Sequence, residues 1–287
     1  MTAPSHQHRS PLVENFSKRW RRQCRELESY AKVSWPQADA ETIHQARVLS
    51  RRLRATHQVL AAAQPGTSQK FLLDPAKTVT QALRSARSWD VSHHWLADER
   101  LGKKWTGREL KFLSRAFARR AKRKRMKINF PSLGPLQVWG NLLKNLPESQ
   151  LSQALTQLDE SYFSSLLQRV RDFLKSSSKS DLHQVRIALK KWRYHQEILA
   201  DCYEEEKGDI LKHMKHSQAL LGRFNDWVEL FRHLNNPKIL NGLKKSSHWR
   251  GYQDFFQKLK KHLKRELSKI HDFMERDFSR WMGKVAP

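Results

Sequence analysis

An eleven-residue string occurs twice in this chain, and it limits the possible folds more than any other feature. Residues 44–54 read HQARVLSRRLR and residues 183–193 read HQVRIALKKWR. His, Gln, the first Arg and the last Arg recur at a constant offset of 139, and Arg51-Arg52 becomes Lys190-Lys191. Apolar positions keep the same offset: Leu53 with Trp192, Val59 with Ile198, Leu60 with Leu199. A looser echo follows, Gln81-Ala82-Leu83…Asp90-Val91 against Gln218-Ala219-Leu220…Asp226-Trp227-Val228. Self-similarity at a fixed separation is the mark of a duplicated structural unit.

The repeated string has the period of a helix. At about 100° per residue, His44, Arg47, Arg51 and Arg54 fall within an arc of roughly 80°, with Ala46, Leu49, Leu53 and Leu60 opposite. His183, Arg186, Lys190 and Arg193 share one face of the second copy, and Val185, Ala188, Trp192 and Leu199 share the other. Arg52 and Lys191 flank the two basic faces. Each copy thus pairs an apolar stripe suited to a bundle core with a row of cations. No acid interrupts that row, so its members repel one another, whereas a solvated helix face usually mixes signs. A chain of phosphates satisfies such a row: Arg supplies forked planar donors, Lys a mobile point charge, and His a donor once protonated.

Helical periodicity extends over almost the whole chain, near 10–33, 37–63, 75–100, 107–127, 148–176, 179–203, 207–235 and 244–282. Trp35-Pro36, the cluster Gln64-Pro65-Gly66, Pro131 to Pro147, Ser176-Ser177-Ser178 and Asn236-Pro237 supply the breaks. No alternating β-branched run argues for a sheet. The expectation is an all-α chain of two four-helix units, 10–127 and 148–283, joined by a linker at 128–147, with residues 1–9 disordered.

The charge narrows the partner. Lys and Arg number 55 against 28 Asp and Glu, a net charge of +27 in 287 residues. A surplus of this size opposes compaction unless a polyanion or many counterions offset it, and the 10 Trp and 13 Phe argue against a disordered basic tail. No apolar run approaches the roughly 20 residues of a membrane span, and the N-terminus lacks the apolar stretch of a secretory signal. Cys24 and Cys202 offer neither a disulfide framework nor a zinc spacing, so the cytoplasm is the expected compartment.

The two basic strings resemble the hallmark of the CHAD family, the conserved histidine α-helical domains: H-x-x-R-x-x-x-[RK]-[RK]-x-R, once in each half. In that family the next helix carries L-G-x-x-R-D-x-D-V in the first half and L-G-x-x-N-D in the second. Leu221-Gly222-Arg223-Phe224-Asn225-Asp226 fits the second form. In the first, Arg87, Asp90 and Val91 are kept, but Arg84 replaces Gly and Ser88 replaces the first Asp. The resemblance spans about residues 10–283. It implies two four-helix bundles related by a pseudo-twofold axis, their basic helices facing a central cleft or pore that binds inorganic polyphosphate, with no cofactor or metal. It also implies association with polyphosphate granules. Site residues on this reading are His44, Arg47, Arg51, Arg52, Arg54, His183, Arg186, Lys190, Lys191 and Arg193, with Asp90, Asn225 and Asp226 orienting cationic neighbours and Arg87 and Arg223 adding contacts.

Other basic residues are open to two readings. The run RAFARRAKRKRMK at 115–127 holds eight Lys or Arg and no acid. Its Arg115, Arg119, Lys122 and Arg123 either extend a phosphate track or form a general electrostatic patch. Arg19, Arg22, Lys258, Lys261, Lys264 and Arg265 are weaker candidates for phosphate contacts. Catalytic signals are thin. There is no phosphate-cradling glycine loop, and His271-Asp272 is an isolated His-Asp dipeptide without the further ligands a metal-dependent phosphohydrolase needs. His93-His94 and the His213/His216 pair lack companion carboxylates. The leading expectation is non-catalytic polyphosphate binding. A nucleic-acid binder is the alternative, and a polyphosphate phosphohydrolase a more distant one.

Overall fold

Local chemistry starts and stops the helices where the breaks predict. In the computed structural model, which describes residues 10–65, 70–97, 108–133, 143–205, 208–245, 247 and 249–285, helix α1 (Pro11–Ser29) opens with Pro at its first position, and the Ser10 hydroxyl accepts from the Val13 N–H at 3.4 Å. Helix α2 (Ala40–Ala63) is capped by Asp39, whose carboxylate accepts from the Thr42 N–H at 2.7 Å. These caps satisfy N–H groups that a helix start leaves without partners. Then come α3 (Lys70–Ala82), α4 (Arg84–Ala97), α5 (Arg108–Arg125), α6 (Glu148–Ser176), α7 (Lys179–Tyr203) and α8 (Gly208–Leu234). Ser177, at φ 50°, closes α6, and the Ser178 hydroxyl starts α7 by accepting from the Asp181 N–H at 3.0 Å.

Two expected single helices are divided. The segment expected at 75–100 is α3 and α4 meeting at Leu83, although backbone bonds from Leu83 N–H to the Val79 carbonyl and from Arg87 N–H to the Leu83 carbonyl carry the helical pattern across the joint. The last helix is preceded by a short one, α9 (Pro237–Lys244), with Pro at N1 and an Asn236 cap. After it come α10 (Trp249–Phe273), a π-helical turn at Met274–Phe278, and α11 (Ser279–Lys284). The described residues are all-α, with no strand among them. Residues 1–9, expected to be disordered, and 134–142 of the 128–147 linker lie outside the described residues; Leu143–Asn145 forms one 3-10 turn.

Two hydrophobic cores are present, and three helices run through both. The first joins α1, α2 and α3 with Ala86 of α4, Leu151, Ala154 and Leu155 at the start of α6, and Ile198, Leu199 and Cys202 at the end of α7. The second takes Trp89 and Leu96 of α4, α5, the rest of α6, Leu182 to Trp192 of α7, then α8, α9 and α10. The boundary between the cores therefore does not follow the 128–147 segment. Its effect on the site is direct. The basic string of α2 sits over the first core and that of α7 over the second, and α4 and α7 span the junction where the two strings approach.

A cation cluster between the repeated helices

Burial of the apolar stripe orients the cations. Ile43, Ala46, Leu53 and Leu60 of α2 are buried, as are Val185, Ala188, Trp192 and Leu199 of α7, so each basic row faces away from its core. Arg51 is the hub where the two rows meet. Its charge acts on His44, Arg47 and Arg54 of its own helix, on Arg87 of α4, and on Arg186 and Lys190 of α7. The repeated strings thus supply one shared cluster.

Its members carry the electrostatic signature of like charges held together with only partial compensation. Lys190 is pushed down to about 6, first by burial and then by Arg186 and Arg51, with Asp226 opposing. Arg47 is lowered to about 9 by burial, then by Arg51, Arg87, Arg84 and Arg186. Burial is also the leading cause that lowers Arg54, Arg87, Arg186 and His44. A buried cation among cations loses its proton more easily, because removing water and adding like charge both disfavour the charged form. The buried Nε atoms of Arg54 and Arg186 have no hydrogen-bond partner, and the Arg47 guanidinium donates to the Thr80 carbonyl at 2.8 Å.

The acid that acts on Arg87, Arg186 and Lys190 alike is Asp226 of α8, with Glu41, Asp90 and Glu229 each acting on one or two members. Burial raises the Asp226 pKa, against the pull of Arg186, Arg87 and Lys190 and a hydrogen bond donated by the Trp95 indole. Its neighbour Asn225 hydrogen-bonds through Oδ1 to Nδ1 of the exposed His183 at 3.2 Å. Ion pairs among the described residues lie elsewhere: Arg19 and Arg22 on Asp201, Arg52 and Arg193 on Glu197, Arg125 on Asp90. Arg47, Arg51, Arg54, Arg87, Arg186 and Lys190 make none among the described residues.

Several expected site residues are placed otherwise. Arg193 is 7% exposed, bonded to Glu197 and to Gln218 Oε1 at 2.6 Å, and stacked over Tyr194. Arg52 is held by Glu197 at 3.3 Å, and Lys191 is exposed. Arg19 is 5% exposed and donates to Asp201, the Glu197 carbonyl and Thr56, while Arg22 reaches Asp201 at 3.1 Å, so the two tie α1 to the end of α7. Asp90 is buried and binds Arg125, clamping α4 to α5. Arg223, Lys258, Lys261, Lys264 and Arg265 are exposed. Arg115, Arg119, Lys122 and Arg123 lie exposed on α5.

Sequence reasoning missed Thr80, Glu197 and Gln218 as partners and underrated Arg87, which α4 carries into the centre. It also missed the network that Ser88 joins: its hydroxyl donates to Glu229 at 2.6 Å and lies 3.2 Å from Nε2 of His233, a buried ring stacked on Trp89 at 3.8 Å and pushed down to about 4 by desolvation. His271 of the His-Asp dipeptide meets the Leu174 carbonyl at 3.1 Å. Among the described residues no group of three or more His, Cys, Asp or Glu is placed to hold a metal ion, and no helix is long and apolar enough to cross a membrane.

Comparison with known proteins agrees with the resemblance. No curated protein sequence matches the chain. The crystal structure of the CHAD domain from the plant Ricinus communis is similar to it at a TM-score of 0.69 and 23% identity, over 92% of each chain. The CHAD domain family matches residues 18–235, most of the length, and this chain belongs to that family.

Proposed function

We propose that this chain binds inorganic polyphosphate, without catalysis, along the cluster centred on Arg51. The carrying observation is that one guanidinium acts on six other basic side chains drawn from α2, α4 and α7, none of them ion-paired among the described residues. A linear polyanion supplies the missing charge, and membership of a family that binds polyphosphate points to the same chemistry. The guanidiniums of Arg51, Arg54, Arg87 and Arg186 take phosphate oxygens, Lys190 regains its proton beside them, and His44 and Asn225-oriented His183 donate at the margins.

The placement of the aromatics supports polyphosphate over nucleic acid. Base stacking on single strands requires exposed rings beside the cations. The exposed large hydrophobic residues among those described are Phe112, Met126, Ile187 and Tyr203, and neither aromatic one lies in the basic strings: Phe112 is on α5, and Tyr203 ends α7 ten residues beyond Arg193. Trp192 is 2% exposed and donates its indole N–H to Asp159 at 2.8 Å.

Calorimetric titration with polyphosphate, against single-stranded RNA and DNA of equal charge, at two salt concentrations and without metal, tests the reading. Metal-independent polyphosphate binding at least tenfold tighter than either nucleic acid, weakening with salt through counterion release, is expected. Equal affinity for all three polymers refutes it.

A further inference from the structure

One lysine stands apart from the rest. Among the lysines whose side chains are described, Lys190 alone is not exposed. Its amine makes no hydrogen bond or ion pair among the described residues, yet it opens to solvent, unlike the sealed Nε atoms of Arg54 and Arg186. Charged and titratable groups face it from three helices: Arg51 and His44 of α2, Arg186 and Arg193 of α7, and Asp226 of α8. Arg186 lies one turn before it on the same face of α7. Burial, then Arg186 and Arg51, push the amine down to about 6, with Asp226 opposing and Arg193 adding a smaller push. At pH 7.5 an ordinary lysine amine, of pKa about 10.4, carries a lone pair in roughly one molecule in a thousand. Lys190 carries one in most.

Polyphosphate binding uses this lysine only once it has regained its proton, and leaves the lone pair without a task. A ligand that engages both features carries a phosphate group for the guanidiniums and an electrophilic carbon next to it. Polyphosphate lacks the carbon. We propose that Lys190 is an acylation site for small acyl phosphates: Arg51 and Arg186 hold the phosphate, and the Lys190 amine attacks the acyl carbon bonded to it. This rests on the reading of the cluster as a phosphate site. The nitrogen–carbon bond forms, the carbon–oxygen bond to the phosphate breaks, and the surplus proton of the amine leaves with it as hydrogen phosphate. No oxidant or further reactant is consumed. Charge builds on the phosphate as it departs, where the two guanidiniums stabilise it. The half-buried amine favours a short acyl chain. The product amide takes up no proton, so acylation removes the charge that polyphosphate restores and weakens polyphosphate binding.

Acetyl phosphate on the whole chain at pH 7.5 tests this, with acetylation at each lysine read by peptide mass spectrometry. Acetic anhydride is the control reagent without phosphate, and the exposed Lys191 is the internal comparison. With acetyl phosphate, Lys190 is expected to react at least tenfold faster than Lys191, a ratio at least fivefold above that given by acetic anhydride. Excess polyphosphate is expected to slow Lys190 at least tenfold. Between pH 7 and 9 the Lys190 rate is expected to change less than threefold, whereas an ordinary amine gains about tenfold per unit. Lys190→Gln, which places an amide there, is expected to bind polyphosphate at least fivefold more weakly in calorimetry. Equal rates at Lys190 and Lys191, the same ratio for both reagents, a Lys190 rate climbing tenfold per pH unit, or undiminished polyphosphate affinity of Lys190→Gln overturns the proposal. Selective acetylation of Lys190 that polyphosphate does not slow upholds the acyl phosphate site and counts against the polyphosphate reading.

Discussion

Helices α2 and α7 carry the same string in chemically different settings. At the last arginine of each, Arg54 has a buried Nε without a partner, whereas Arg193 is tied to Glu197 and Gln218. The reason lies one turn on: α7 has Glu197, and the position 139 residues earlier in α2 is Gln58, which accepts from the Tyr162 hydroxyl at 3.1 Å. Arg52, although on α2, is drawn to the same Glu197. At the hub positions α2 has the guanidinium of Arg51, and α7 has the amine of Lys190, pushed down to about 6 by burial and its neighbours. Asp226 sits on the α7 side; its partner motif on α4 has a serine, Ser88, where the family has an acid. One copy thus leaves its last arginine without an acid, and the other ties its last arginine to one and holds a lysine whose charge can be switched. A repeat fixes where side chains lie, and their neighbours decide what they do.

Reversing both hubs breaks the arrangement most severely. Arg51→Glu with Lys190→Glu is expected to weaken polyphosphate binding by about 100-fold, measured by calorimetry; a loss under threefold removes the cluster from the site. Next, the two terminal arginines are expected to separate by function. Arg54→Ala lowers affinity by about tenfold with Tm unchanged. Arg193→Ala lowers Tm by about 4 °C, because it removes the Gln218 and Glu197 bonds, and changes affinity little. The same outcome for both variants contradicts the asymmetry. Gln58→Glu sharpens it further: an acid one turn beyond Arg54 reproduces the α7 arrangement and lowers affinity by about threefold.

The smallest effect is on stability. The folded pKa of Lys190 is depressed, so the unfolded chain binds more protons between about pH 6 and 10.5. Stability therefore falls as pH drops through that window, and the cost is complete below about 6. Lys190→Met is expected to raise Tm at pH 7 by about 2–4 °C and to flatten its rise toward pH 9 in differential scanning calorimetry. A lower Tm argues that Lys190 is charged and stabilising.

The helices were legible because apolar period and breakers act locally: Ser10, Asp39 and Ser178 cap helices near where the patterns begin. The basic faces of α2 and α7 were legible because their apolar stripes leave them one orientation. Contacts between distant segments were not. Arg19 looks like any surface cation in sequence, yet it is buried against Asp201, 182 positions away. Two shared cores, the entry of Arg87 into the cluster and the desolvation of Lys190 depend on which helices meet, which periodicity does not encode. The contrast of Gln58 with Glu197 was visible at the repeat offset, and only the geometry reveals that it frees one arginine and ties the other.

Proton uptake on binding tests the account most directly. Polyphosphate is titrated calorimetrically at pH 7.5 in two buffers of different ionisation enthalpy, for the parent chain and for Lys190→Met. Uptake of up to one proton by the parent is expected, because the bound anion restores the charge of Lys190, with a clear reduction in the variant. Tight binding with no proton taken up, or equal uptake by both proteins, contradicts it.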